Sequence, residues 1–316
     1  MQLEVNATFA AMRADEAAID ALFSKYRCTH AYIDVGTNLG VQPRKLYEPK
    51  VYASQFEKSS LPALTRLHAL FHKHFGSPED RCRVCTLGFE PNPRHRKRLE
   101  EIQERYRKIG YPIQMFFAAA STVDGVAEFG LDDVTRAGQI DWTASGLNLM
   151  QRRFGLKNKL AVRSIDLGRI LRHVDRRLRS HLGSAQERMA SRIIMKLDTE
   201  GFEYNILTHL IFSQSACVID VLDVEWHDNF LRQAVKANRT TQAGMDGSAA
   251  RPLETTGATA VATLTSPNGI AGLRALLRRA LLARPDCRTT LVSIDDETYL
   301  QDGMPLPTES ACSRGV

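Results

Sequence analysis

The sequence predicts an α/β protein built on a doubly wound, mostly parallel sheet, and three observations carry that prediction. Short apolar runs recur at residues 32–35, 83–89, 113–119, 193–197 and 217–224. Stretches with apolar residues three, four or seven apart separate them, the alternation that parallel strands with crossover helices produce. Glycines and carboxylates gather directly after several of the runs, and in open sheets of this kind ligands lie beyond the carboxyl ends of the strands.

The elements follow in order. Residues 1–28 read as a helix through Phe9, Met12, Ile19, Phe23 and Tyr26, forming an N-terminal extension over 1–30. A core over 31–232 begins with the first strand and its glycine turn. The insertion at 41–81 carries Tyr47, Tyr52, Phe56, Phe71 and Phe75, too apolar for a plain linker, and reads as a helical region with an added loop that folds as a lid. Pro93 opens a helix lined by Leu99, Ile102, Tyr106 and Ile109 and ended by Gly110. After the third strand, Asp124-Gly125 marks a hairpin turn. The segment 131–159 is turn-rich, and a helix starts at Asp166. Residues 233–268, rich in Ala, Thr, Gly and Ser, read as a flexible insertion. Residues 269–300 supply a helix and strand that complete the core, and 301–316 read as a frayed tail.

Bulk properties narrow the function. Charged residues make up 25% and hydrophobic ones 43% of the 316, which excludes disordered and fibrous classes. No run approaches the roughly 18 apolar residues of a membrane span, and no signal peptide opens the chain. The expectation is a soluble, cytoplasmic protein. Two N-x-Thr sequons, at Asn6 and Asn238, would instead place it in the secretory lumen if a targeting segment were missing. The net charge of +6 is dispersed. The basic runs at 94–98 and 172–181 read as solvated helix faces, so no stable nucleic-acid partner is expected. Cys82 and Cys85 form a lone CxxC without a second pair at zinc spacing, and buried structural thiols are expected.

The nine residues YIDVGTNLG, 32–40, organise the rest. Gly36 and Gly40 bracket a tight turn, but Asn38 stands where a dinucleotide fingerprint needs its second glycine, which argues against a dehydrogenase. Asp34 would repel phosphate and suits a cationic ligand with hydroxyls and an amine, a description S-adenosylmethionine meets. With GFEPNP at 88–93 and MKLDTEGFE at 195–203, the stretch resembles the motifs of the FkbM-type S-adenosylmethionine-dependent methyltransferases. The resemblance covers residues 31–226, interrupted by the insertion. It implies a Rossmann-like class I methyltransferase fold, with cofactor-binding roles for Asp34, Gly36, Asn38, Gly40, Glu90, Asn92, Ala120, Ser121 and Asp198.

The residues themselves divide the chemistry. Gly36 and Gly40 let backbone approach a cofactor, and Glu90 at a strand end suits two ribose hydroxyls; its bland alternative is a helix N-terminal carboxylate. Methyl transfer needs alignment and exclusion of water, and a hydroxyl acceptor also needs a base. Asp198, Glu200 and His227 are the candidate catalytic residues, while Glu203 reads as the cap of the next helix. Asp223, Glu225 and His227 alternate and, with Asp198, could hold a divalent cation, but no metal is assigned. The expected activity is O-methylation of a small molecule or sugar. A non-catalytic binding or scaffold protein is the alternative from another class, and a nucleic-acid methyltransferase the lesser enzyme reading.

Overall fold

The computed structural model describes residues 2–51, 62–131, 158–228, 269–283, 287, 289–294, 305–309 and 312. The expected flexible insertion at 233–268, most of the turn-rich segment and the end of the last expected strand lie outside them.

Six strands form one all-parallel sheet: β1 (His30–Val35), β2 (Val84–Phe89), β3 (Ile113–Phe116), β7 (Ile193–Leu197), β8 (Val221–Val224) and β9 (Thr290–Val292), in the order β3-β2-β1-β7-β8-β9. Chain order reverses between β1 and β7, which pair in register with Asp34 opposite Lys196. A crevice therefore opens beyond the carboxyl ends of these two strands. The alternation of side chains along β1 builds a core on each face. Ala31, Ile33 and Val35 pack on the side of α1 (Gln2–Tyr26), α5 (Leu167–Ser180), α7 (Glu203–Phe212) and α8 (Gly269–Leu282), while Tyr32 packs on the side of α2 (Val41–Tyr47), α3 (Pro62–Phe75) and α4 (Arg96–Lys108). Truncating a central residue such as Ile33 to Ala would cost about 2–5 kcal/mol.

Several expectations change. Only the C-terminal half of α1 joins the core, through Ile19, Leu22, Phe23 and Tyr26, whereas Phe9 is exposed. The insertion is a layer of the core over its described residues and not a lid. Tyr47 is buried and its hydroxyl donates to the carbonyls of Val84 and Pro112, and Phe71 meets Tyr32 edge-on at 5.1 Å. The third run breaks after Phe116, and its end becomes β4 (Ala119–Ser121) of a separate small sheet. There β6 (Asn158–Asp166) lies between β4, to which it runs parallel, and β5 (Gly125–Leu131), to which it runs antiparallel. Asp124-Gly125 is consequently no hairpin. The Asp124 carboxylate is held instead by the Arg169 guanidinium at 2.6 and 2.8 Å. The run at 217–224 opens as a short 3-10 turn, Ser215–Val218, before β8.

The cysteines also depart from expectation. All six are paired, as Cys28–Cys85, Cys82–Cys312 and Cys217–Cys287. The two residues of the CxxC go to different partners because Cys82 lies in the 3-10 turn Asp80–Arg83 and Cys85 inside β2. The tail is tied down rather than frayed where it is described: Cys312 is bridged, and the Pro305 carbonyl accepts from the buried Arg44 guanidinium at 2.8 Å. No described helix is long and apolar enough to cross a membrane.

Candidate active site

The turn after β1 is shaped by its neighbours. Gly36 and Gly40 both have φ +83°, a left-handed conformation that disfavours a side chain. At Gly36 a β-carbon would fall 1.7 Å from the Asp198 carbonyl oxygen, so the glycine is needed for β1 and β7 to end side by side. At Gly40 it would fall 2.6 Å from Ile102 Cδ1 and 3.1 Å from Leu99 Cδ2. Gly40 thus admits α4 and is not among the residues that line the cleft.

The cleft holds about 1050 Å³ of empty space, its open mouth included, and is lined by Gly36, Asn38, Glu90, Asn92, Ala120, Ser121, Asp198 and Glu200 among the expected residues. Phe89, Phe129 and Phe202 give it apolar walls. Glu90 ties its two glycine-side loops together: Oε2 accepts from the Asn38 N–H and Oε1 from the Asn92 N–H, both at 2.8 Å. A carboxylate offers about four lone-pair sites, so these bonds use only half of its capacity. The Asn92 side chain accepts from the Arg94 N–H at 3.0 Å and so caps the start of the next helical turn.

Asp34 lies beneath the cleft and not in it. It is fully buried, and neither carboxylate oxygen finds a hydrogen-bond partner among the described residues. Burial pushes its carboxyl up to about 7 against the pull of the Lys196 ammonium.

Beside the cleft, Lys196, Asp198, Glu200, Glu203, Glu225 and His227 form one charged cluster. Lys196 Nζ donates to Asp198 Oδ2 at 2.7 Å and lies 3.5 Å from Glu225 Oε2. Burial disfavours its charge, but Asp198 and Glu225 outweigh that and hold the ammonium well above its ordinary range. Glu203 is wholly buried and accepts from the N–H groups of Thr199 and Gly201, at 2.7 and 3.1 Å. It therefore closes the turn before α7 and does not cap the helix as expected, because it is the first helical residue and its bonds run back to Thr199 and Gly201. Its Oε1 also holds His227 Nδ1 at 3.0 Å. Nε2 then points at Glu200 Oε2, Glu225 Oε1 and Asp198 Oδ1, at 3.6, 3.8 and 3.9 Å.

These contacts set the protonation states. Burial would lower the His227 pKa, but the hydrogen bond to Glu203 and the surrounding carboxylates raise it to about 10. The imidazolium therefore predominates at neutral pH, and His227 in this state cannot take a proton as a base. Burial pushes Glu200 up to about 8, opposed by His227, and burial with the Asp198 charge pushes Glu225 up to about 7. Lys196 donates to Oδ2 of Asp198, and Oδ1 lies 3.9 Å from His227 Nε2.

Asp223 does not join this cluster. The strand ends at Val224, so the expected alternation stops there, and the Asp223 carboxylate instead accepts from the Ile294 N–H at 2.8 Å. Sequence reasoning missed three residues at the site. Lys196 was hidden inside an apolar strand, and its alternation with Asp198 was the available signal. His95, absorbed into a basic run, is buried and lines the cleft, and its Nδ1 lacks a hydrogen-bond partner among the described residues. Gln42 also lines it, buried, with neither amide atom hydrogen-bonded among the described residues. Comparison of the chain with protein-family models, curated proteins and solved structures gave no match.

Proposed function

We propose that this chain is an S-adenosylmethionine-dependent methyltransferase of the FkbM type, acting on a hydroxyl of a small molecule or sugar. The observation that carries this reading is Glu90. Its carboxylate sits at the end of the strand next to the switch point, lines the cleft, and has lone pairs to spare after fixing the loops on either side. That is the chemistry a ribose diol requires, since each hydroxyl can donate to one oxygen.

The residues present fit the cofactor. Gln42 and His95 line the cleft, and each has a buried side-chain polar atom without a hydrogen-bond partner among the described residues, a cost that a bound ligand could offset. Phe89, Phe129 and Phe202 supply apolar surface for a flat base and for water exclusion. When bound, S-adenosylmethionine supplies a methyl group made electrophilic by a sulfonium. The chain's own task is alignment: Asp198 Oδ1 accepts the acceptor's hydroxyl proton, while Lys196 keeps Asp198 oriented through its hydrogen bond to Oδ2. Glu200 and His227 border the position the acceptor would take.

Three disulfides support an oxidising compartment over the cytoplasm, because such bridges persist in secretory lumens and extracellular space and are rare in reducing cytosol.

Calorimetric titration with S-adenosylmethionine and S-adenosylhomocysteine tests the reading. Wild-type protein should bind both in the micromolar range, and Glu90→Gln, checked for an unchanged melting curve, should bind at least about tenfold more weakly, as expected for loss of a charge-assisted hydrogen bond. No binding by folded wild-type protein would overturn the reading and leave a non-catalytic binding protein in its place.

A further inference from the structure

The cluster beside the cleft has the composition and geometry of a cation site. Asp198, Glu200 and His227 each offer a ligand atom, and these atoms lie within 4.8 Å of one another. His227 Nε2 is 3.6 Å from Glu200 Oε2 and 3.9 Å from Asp198 Oδ1. On a cation bound at about 2.1 Å, two ligand atoms lie at most about 4.2 Å apart, and the two histidine spacings fall within that limit.

Two independent features point the same way. The imidazole is oriented from behind by Glu203, which is itself buried and immobilised by two backbone N–H groups, and this carboxylate–imidazole pairing is what metal-binding histidines commonly have. Asp34, wholly buried with neither carboxylate oxygen hydrogen-bonded among the described residues, stands opposite Lys196 in the register of β1 and β7 and adds a further carboxyl under the cluster. Lys196 donates to Oδ2 of Asp198, while Oδ1 lies 3.9 Å from His227 Nε2.

We propose that Asp198, Glu200 and His227 bind a divalent cation. A mixed set of carboxylates and one imidazole suits Mn²⁺ or Zn²⁺ better than Ca²⁺, which prefers oxygen alone. Binding itself does not depend on the cofactor; with the cation bound Asp198 Oδ1 would serve as a ligand, so the proton-accepting role proposed for it belongs to the cation-free protein, and the cation's task of orienting the acceptor hydroxyl rests on the methyltransferase reading.

The test is titration of the full chain with MnCl₂ and separately with ZnCl₂, without S-adenosylmethionine, with the Mn²⁺ spin resonance spectrum as a second readout. One ion per chain is expected, with affinity at least about tenfold weaker in His227→Gln and in Glu200→Gln and about 10- to 100-fold weaker in Glu203→Gln. If Glu203→Gln fails to fold, the other two variants decide. Absence of binding of either metal by wild-type protein, or equal binding in His227→Gln and Glu200→Gln, overturns the proposal. Cofactor binding without metal binding removes only this site, and metal binding without cofactor binding removes only the methyltransferase reading.

Discussion

The carbonyl oxygen of Asp198 occupies the space that a β-carbon on Gly36 would need, at 1.7 Å. The two residues end the central strands on either side of the switch point, so one contact fixes the width of the crevice and the position of the residue proposed to accept a proton. Backbone cannot yield as a flexible side chain can, which makes Gly36 and Gly40 an informative pair.

Gly36→Ala must either push β7 away or abandon φ +83°, and a loss of more than about 3 kcal/mol is expected together with loss of ligand binding. Gly40→Ala meets only the ends of Ile102 and Leu99 and should cost about 1–2 kcal/mol, with part recovered by adding Ile102→Val. Urea midpoints of the three proteins decide; equal losses at Gly36 and Gly40 would contradict the account.

Gln42 should show a trade of stability for binding. Its amide is buried without a hydrogen-bond partner among the described residues, so Gln42→Leu should leave the free protein as stable or stabilise it by about 1 kcal/mol. The same change should weaken S-adenosylhomocysteine binding about tenfold, because the ligand then loses a hydrogen bond. A destabilised variant that binds normally would show that Gln42 serves the fold instead.

His30 predicts a pH dependence. Burial, with Arg192, Arg83 and His74 nearby, lowers its pKa from 6.5 to about 4, and Nδ1 accepts from the Arg192 N–H at 3.0 Å. The folded state therefore favours the neutral ring, while the unfolded chain binds the proton near 6.5. This contribution to stability is complete above pH 6.5 and is lost as pH falls toward 4. Melting temperatures at pH 7 and pH 5 should drop less in His30→Gln than in wild type; an equal drop would assign the effect to other groups.

Removing the Cys217–Cys287 bridge, which closes a separation of 70 residues, should cost about 2–5 kcal/mol. Denaturation of the Cys217→Ser, Cys287→Ser double variant measures it. Reductant should lower the wild-type midpoint further, since it opens the other two bridges as well.

Much of the architecture was legible because it follows from local pattern. Apolar runs placed β1, β2, β7 and β8 to within a few residues, and the rule that ligands sit beyond strand ends gathered Gly36, Glu90, Ser121, Asp198 and Glu200 before any coordinates. The errors share a cause. Asp124-Gly125 has the composition of a hairpin turn, but the strand that pairs with β5 arrives from more than 30 residues away, and no local signal announces it. Asp223 obeys the two-residue alternation only until β8 stops.

The sequence by itself determined the central strands β1, β2, β7 and β8, the glycine turn after β1 and the carboxylates at the strand ends, because each depends on neighbours a few residues away. Only the tertiary structure decided the three cysteine pairings, the packing of Gly40 on α4, the burial of His95 and Gln42 at the cleft, and the charge of His227. Those depend on which distant groups share a low-dielectric space. A histidine or cysteine has no fixed role until folding supplies the carboxylate, thiol or empty cleft beside it.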